Sequence, residues 1–165
     1  ILAIATVLGY GAAGIALSLE GGVGEAAWQA YAAMVFTSVM LGATFVAMGC
    51  LASTLVRERA TAAGLAVGIW LVFVLLYDTA LLGVLVADQG RIVGRAALDA
   101  LLLLNPADAY RLFNMTASDS VSVYSGMAGP GDPVALPPAA YVGALVLWIV
   151  VPLAAAIAAF RRRAL

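Results

Sequence analysis

The chain contains no histidine and no lysine; its eight basic residues are all arginine. Without lysine there can be no GxxxxGK[ST] phosphate loop, so if ATP drives this protein, the nucleotide and its magnesium are handled on another chain. Without histidine, Ser-His and Cys-His nucleophile pairs are excluded, together with the commonest transition-metal ligand. The single cysteine, Cys50, lies in an apolar run and can form no internal disulfide; a free cysteine of this kind is more often a small buried hydrophobe than a reactive group. Charge is scarce as well. With 10% charged residues and a net charge of -1, there is no basic footprint for nucleic acid. Soft ligation by Met34, Met40, Met48 and Cys50 fails on geometry, because Met48 lies about 40° from Met34 around a helix but Met40 about 120° from it. No catalytic residue, metal site or bound cofactor is expected.

What is present is apolar: 65% of residues are hydrophobic and mean hydropathy is +1.08, against roughly 45–50% apolar residues in soluble domains. A fold this small cannot hide such a surface from water, and lipid is the alternative solvent. Spanning a bilayer takes about 20 mostly apolar residues in a helix, and the sequence predicts an all-α polytopic membrane protein with four spans, at about 1–19, 28–54, 65–87 and 139–160. Breaks separate them. Glu20-Gly21-Gly22-Val23-Gly24-Glu25 is a polar turn, and Arg57-Glu58-Arg59 puts three charges directly after the second span. Arg57 with Arg59, and the run Arg161-Arg162-Arg163, are basic clusters of the kind that stay cytoplasmic. Both obey one orientation with residues 20–27 and 88–138 outside and the C-terminus inside. The opening at Ile1, with no basic stretch ahead of an apolar run too long for a signal-peptide core, carries the expectation of a longer parent chain.

The outer segment 88–138 is predicted to hold two helices and a loop. Arg91, Arg95 and Asp99 share one helical face ahead of Leu101-Leu102-Leu103-Leu104, as in an amphipathic or re-entrant helix. Asn105-Pro106-Ala107-Asp108 then reads as an N-cap, a proline in the first turn and an acidic residue beside it, opening a second helix through Tyr110 and Arg111. From Ser125 to Pro133 the chain is rich in glycine and proline and reads as a loop. Gly64 and Gly68 form a GxxxG, whose expected role is close helix packing. Asp78, beside Tyr77, is the acidic residue placed well inside a span, where a carboxyl is costly unless it meets a cavity or a partner. It is the leading functional candidate, as a substrate-path group, and its structural alternative is a carboxyl tying two helices together near the outer interface. Tyr77-Asp78 with Gly129-Pro130-Gly131-Asp132 also matches the YD and GxGD pairs of intramembrane aspartyl proteases. That family keeps GxGD within a span, whereas here it falls in the loop, so this is a remote alternative.

Long strings carry a resemblance: AAGLAVGIW at 62–70, LLYDTALLGVLVADQG at 75–90, LLLLNPADAYRLFNM at 101–115, SGMAG at 125–129, LPP at 136–138 and FRRR at 160–163. Together they resemble the NosY family of permeases, the membrane subunits of NosDFY-type ABC transporters, which are similar to type-2 ABC exporters; residues 1–56 contribute a compatible hydropathy pattern. The resemblance implies a six-span permease of the bacterial inner membrane, with this chain as the C-terminal part of its single transmembrane domain, both termini cytoplasmic, and external helices over 91–115. It implies a homodimer of permeases, a nucleotide-binding ATPase subunit, a periplasmic accessory protein and lipid as partners. The implied task is export of a small sulfur or copper species for maturation of the copper–sulfur centre of nitrous oxide reductase, in denitrification. Glu58 and its neighbouring arginines would form a secondary contact to the ATPase. A secondary transporter, or a membrane scaffold that moves nothing, is the other class of reading; the former would be expected to carry paired broken helices with intramembrane charges.

Overall fold

The structure, a computed structural model, describes residues 2–19, 25–88, 94–116 and 136–163. Six helices occupy them: α1 (Leu2–Leu19), α2 (Glu25–Leu55), α3 (Arg59–Asp88), α4 (Arg95–Leu103), α5 (Pro106–Thr116) and α6 (Pro138–Arg163). Three of them, over Trp28–Leu55, Arg59–Asp88 and Pro138–Arg162, are long and apolar enough to cross a membrane. The remaining expected span, α1, has 18 residues, about 27 Å of helix beside a hydrocarbon thickness of about 30 Å. α2, α3 and α6 all run past the apolar stretches that predict them, α3 by starting at Arg59. A helix must carry its backbone bonds beyond the hydrocarbon before water can replace them, so the helix is longer than its hydropathy.

α2 is the central element and packs chiefly on α6, with further contacts to α1, α3 and α5. The core where α2, α5 and α6 meet is Met40, Ala109, Tyr141 and Leu145, flanked by Leu41, Leu103, Leu112 and Phe113. Ala47, Ala52 and Ala156 are also buried, and such small residues let membrane helices approach closely. Met40 and Met48 are buried packing residues. Cys50 is exposed, not buried as its residue type suggests, because it stands about 200° around α2 from both Met48 and Ala52.

α3 is different: no residue along it is buried. A Cβ added at Gly64 or Gly68 would meet nothing within 4 Å. The close packing expected of the GxxxG is therefore not made within the described residues, and that face of α3 is open. Trp70, Leu75, Leu82 and Val86 are likewise exposed, a surface suited to lipid or to another membrane helix and unsuited to water.

α4 and α5 form a hairpin whose break, at Leu104 and Asn105, lies against Phe73 and Trp148. Phe73 is near the middle of α3, so the tip of the hairpin lies beside the middle of that long helix. A chain break packed between two helices must have its backbone groups satisfied. Here the last carbonyls of α4 take donors from both neighbouring spans, the Tyr77 hydroxyl on Leu101 at 2.6 Å and the Trp148 indole N–H on Leu103 at 3.3 Å.

Candidate functional site

The tip of the hairpin is organised by Asn105, which is fully buried. Its Oδ1 accepts the Ala107 backbone N–H at 3.0 Å and its backbone carbonyl accepts that of Ala109 at 3.0 Å, so Asn105 caps α5 as the Asn-Pro-Ala-Asp order predicts. Its Nδ2 donates to the Phe73 carbonyl at 3.0 Å, to Asp108 Oδ2 at 2.9 Å and, more weakly, to Asp78 Oδ1 at 3.4 Å. One side chain thus closes a helix end, reaches the backbone of a spanning helix and touches two carboxylates.

The Phe73 carbonyl lies in an irregular part of α3. Val72–Leu76 is a π turn, in which the Tyr77 N–H bonds the Val72 carbonyl five residues back. Such one-turn bulges widen a helix and free backbone groups for other partners. In this case the carbonyl inside the turn receives Asn105, and directly after the turn Tyr77 and Asp78 both face the hairpin.

Asp78 pairs with Arg111 of α5, whose Nη1 also donates to Asp108 Oδ1 at 3.3 Å. Arg111 and Asp78 are part-exposed, 42% and 31%, whereas the Asp108 side chain is 9% exposed. Burial first, and the Asp78 carboxylate second, push Asp108 up to about 6 from its ordinary 3.8, while Asn105 and Arg111 pull the other way. Arg111 is held above its ordinary value, first by its bond to Asp78, and stays charged. The result is two carboxylates served by one guanidinium and one amide.

A second polar cluster has little signature in the sequence. The Ser38 hydroxyl, on α2, is 3.1 Å from the Tyr10 hydroxyl of α1 and 3.0 Å from that of Tyr110 on α5. One turn along α5, Asn114 Nδ2 donates to Thr37 Oγ1 at 3.0 Å. Its traces are Thr37-Ser38 within an apolar run, and Tyr110 with Asn114 at i, i+4.

The candidates named from sequence therefore divide. Tyr77, Asp78, Asn105, Asp108 and Arg111 come together; Pro106 is buried in the first turn of α5, and Tyr110 belongs to the second cluster. Asp99 of α4 acts on Tyr141 of α6 instead. Arg95 opens α4. Arg91 and the Gly129–Asp132 motif lie outside the described residues. Arg57, Glu58 and Arg59 are exposed in the α2–α3 break, where Thr61 donates to Glu58 Oε2 at 3.0 Å.

The family described as ABC-2 family transporter protein matches residues 1–165. The chain is 39% identical over 166 residues to the "Probable ABC transporter permease protein NosY" of Stutzerimonas stutzeri, covering 99% of this chain. It is 39% identical over 165 residues to the protein of the same name from Pseudomonas aeruginosa, again covering 99% of this chain. It spans 59% of the length of each of these relatives.

Proposed function

This chain belongs to the ABC-2 family of transporter proteins, a family of helical, multi-pass membrane permeases, and from that premise we propose that it is the permease part of an ATP-driven exporter of the NosY kind. The observation that carries the reading is the identity with two NosY permeases along 99% of the chain. The cargo in this proposal is a small sulfur or copper species used in maturing the copper–sulfur centre of nitrous oxide reductase. The absence of histidine and of a cysteine cluster favours sulfur, since a dedicated copper path usually shows soft ligands. Two permease copies in the bacterial inner membrane, a nucleotide-binding subunit beneath them and a periplasmic accessory protein complete the assembly.

The purified permease is expected to show no ATPase activity, and to support cargo-dependent hydrolysis only when a nucleotide-binding subunit is added. ATP hydrolysis that persists through further purification without that partner would overturn the reading. Deleting the permease gene should lower copper–sulfur centre content in the reductase, and unchanged content would remove the maturation role.

The orientation proposed from the arginine clusters is tested separately. Single cysteines at Arg59 and Arg163 should be protected in intact cells from a membrane-impermeant thiol reagent, whereas cysteines at Asp132 and at Met115, at the end of α5, should react. Protection at Asp132 together with labelling at Arg59 would invert the topology.

A further inference from the structure

Asp78 and Asp108 come from different elements, yet both accept from the same two nitrogens, Asn105 Nδ2 and Arg111 Nη1. Sharing these two donors brings the carboxyls near enough for the charge of Asp78 to push Asp108 up. With both ionised, one guanidinium faces two negative charges beside the middle of a spanning helix, with Asp108 only 6% exposed. Like charges so placed cannot both ionise cheaply, and a shared proton is the usual resolution. We propose that Asp78 and Asp108 hold one proton between them, and that this proton latches the α4–α5 hairpin to α3, so that docking of the hairpin weakens as the pH on its side of the membrane rises.

The surroundings supply no other source of balance among the described residues. On α3, Tyr77 gives its hydroxyl proton to Leu101 and so does not donate into the pair. On α5, Tyr110 bonds Ser38. From α2 the nearby polar side chains are the uncharged Thr37 and Ser38. From α4, Asp99 acts on Tyr141, and from α6 the nearby side chains are Tyr141 and Trp148, with Arg161 and Arg162 at the far end of that helix. Among the described groups Arg111 is the one cation acting on Asp108. The proton would form the carboxyl–carboxylate bond between α3 and α5 while the Asn105 amide and the Arg111 guanidinium satisfy the outer oxygens.

The direction of the effect follows from linkage. Docked Asp108 titrates at about 6 where an undocked carboxyl titrates at 3.8. The docked state therefore binds the proton more tightly, so docking is strongest in acid and weakens as pH rises through 6. Over the interval from pH 5 to pH 7.5 the docking equilibrium should fall about tenfold. The device does not depend on the identity of the cargo.

Hydrogen exchange of the α4 and α5 amides tests this in the intact permease held in lipid nanodiscs, after correction for the intrinsic pH dependence of exchange. Protection relative to α6 should drop about tenfold between pH 5 and pH 7.5 in the wild type. In Asp108→Asn it should be nearly flat, because the group that gains a proton on docking is gone, and in Asp78→Asn it should be clearly smaller than in the wild type, because burial still raises Asp108 while the second carboxylate no longer does. If both variants fail to assemble, the wild type is still decisive through its protonated-carboxyl infrared band, expected at pH 5 and gone at pH 7.5. A wild-type ratio within twofold across this interval, a tenfold drop that survives in either variant, or a carboxyl band unchanged with pH would each overturn the proposal.

Discussion

Replacing Asn105 by alanine should lower the stability of the protein by about 3 kcal/mol. The lost α5 cap accounts for about 1 kcal/mol, and the Phe73 carbonyl left without its donor inside the bundle for about another 1–3 kcal/mol. The Asp108 carboxylate would lose its shortest bond as well, the 2.9 Å contact from Asn105. Asn105→Asp separates these contributions. It keeps the cap oxygen but offers no donor to Phe73, and it adds a third carboxyl beside Asp78 and Asp108, so at neutral pH it should be at least as damaging as alanine. Lowering the pH should relieve the aspartate variant and not the alanine one, because the introduced carboxyl can donate again once it is protonated. Thermal unfolding in lipid nanodiscs across pH 5 to 8 reads both variants. A loss under about 1 kcal/mol for Asn105→Ala would mean that the hairpin tip is held by packing of Leu103 and Trp148 and not by this amide.

The helices were legible because lipid imposes a simple rule on composition, and the rule is the same for every span. The α5 cap was legible too, since Asn-Pro-x-Asp states its own geometry within four residues. Asp78 could be singled out as a group requiring a partner, but Arg111 could not be named as that partner: the two are 33 residues apart in sequence, and no local periodicity links them. Likewise the π turn at Val72–Leu76 follows no proline or glycine within it. The carbonyl inside it is taken by Asn105 from elsewhere in the chain, a tertiary partner invisible to local propensity. The same holds for the docking of the hairpin. Residues 91–104 are amphipathic enough to lie along a surface or to dip inward, and the side-chain donors that hold the end of α4, Tyr77 and Trp148, wait on two other helices. Ser38 carries no local signal, because a hydroxyl in a span commonly bonds its own preceding turn, as Ser38 does with Met34 at 2.7 Å, and its second role needs Tyr10 and Tyr110 to converge on it.

Arg111→Met should cost more than the loss of either carboxylate it serves. Removing the arginine leaves Asp78 and Asp108 facing each other without a cation, whereas removing Asp78 leaves Arg111 still bonded to Asp108. Bonds to charged groups are each worth about 1.5–3 kcal/mol, and breaking a fully buried ion pair from one side costs about 3–5 kcal/mol. With Arg111 42% and Asp78 31% exposed, screening reduces this, and a loss of about 2 kcal/mol is expected for Arg111→Met. Asp78→Asn, which keeps shape and hydrogen bonding, should lose less than about 1 kcal/mol. The double variant should be no less stable than Arg111→Met, since it removes the repulsion that the single change creates, giving a coupling at least as large as the Asp78→Asn loss itself. Under the function proposed above, copper–sulfur centre content of the reductase, measured beside thermal stability, then assigns the role of Asp78. A carboxylate that serves the transported species should leave Asp78→Asn folded and assembled but poor in maturation, with Asp78→Leu no better. A carboxylate that only ties α3 to α5 should leave maturation intact in Asp78→Asn, with Asp78→Leu failing only in proportion to its lost stability. Normal centre content in Asp78→Leu would strike Asp78 from the transport path and leave it as the anchor of the hairpin.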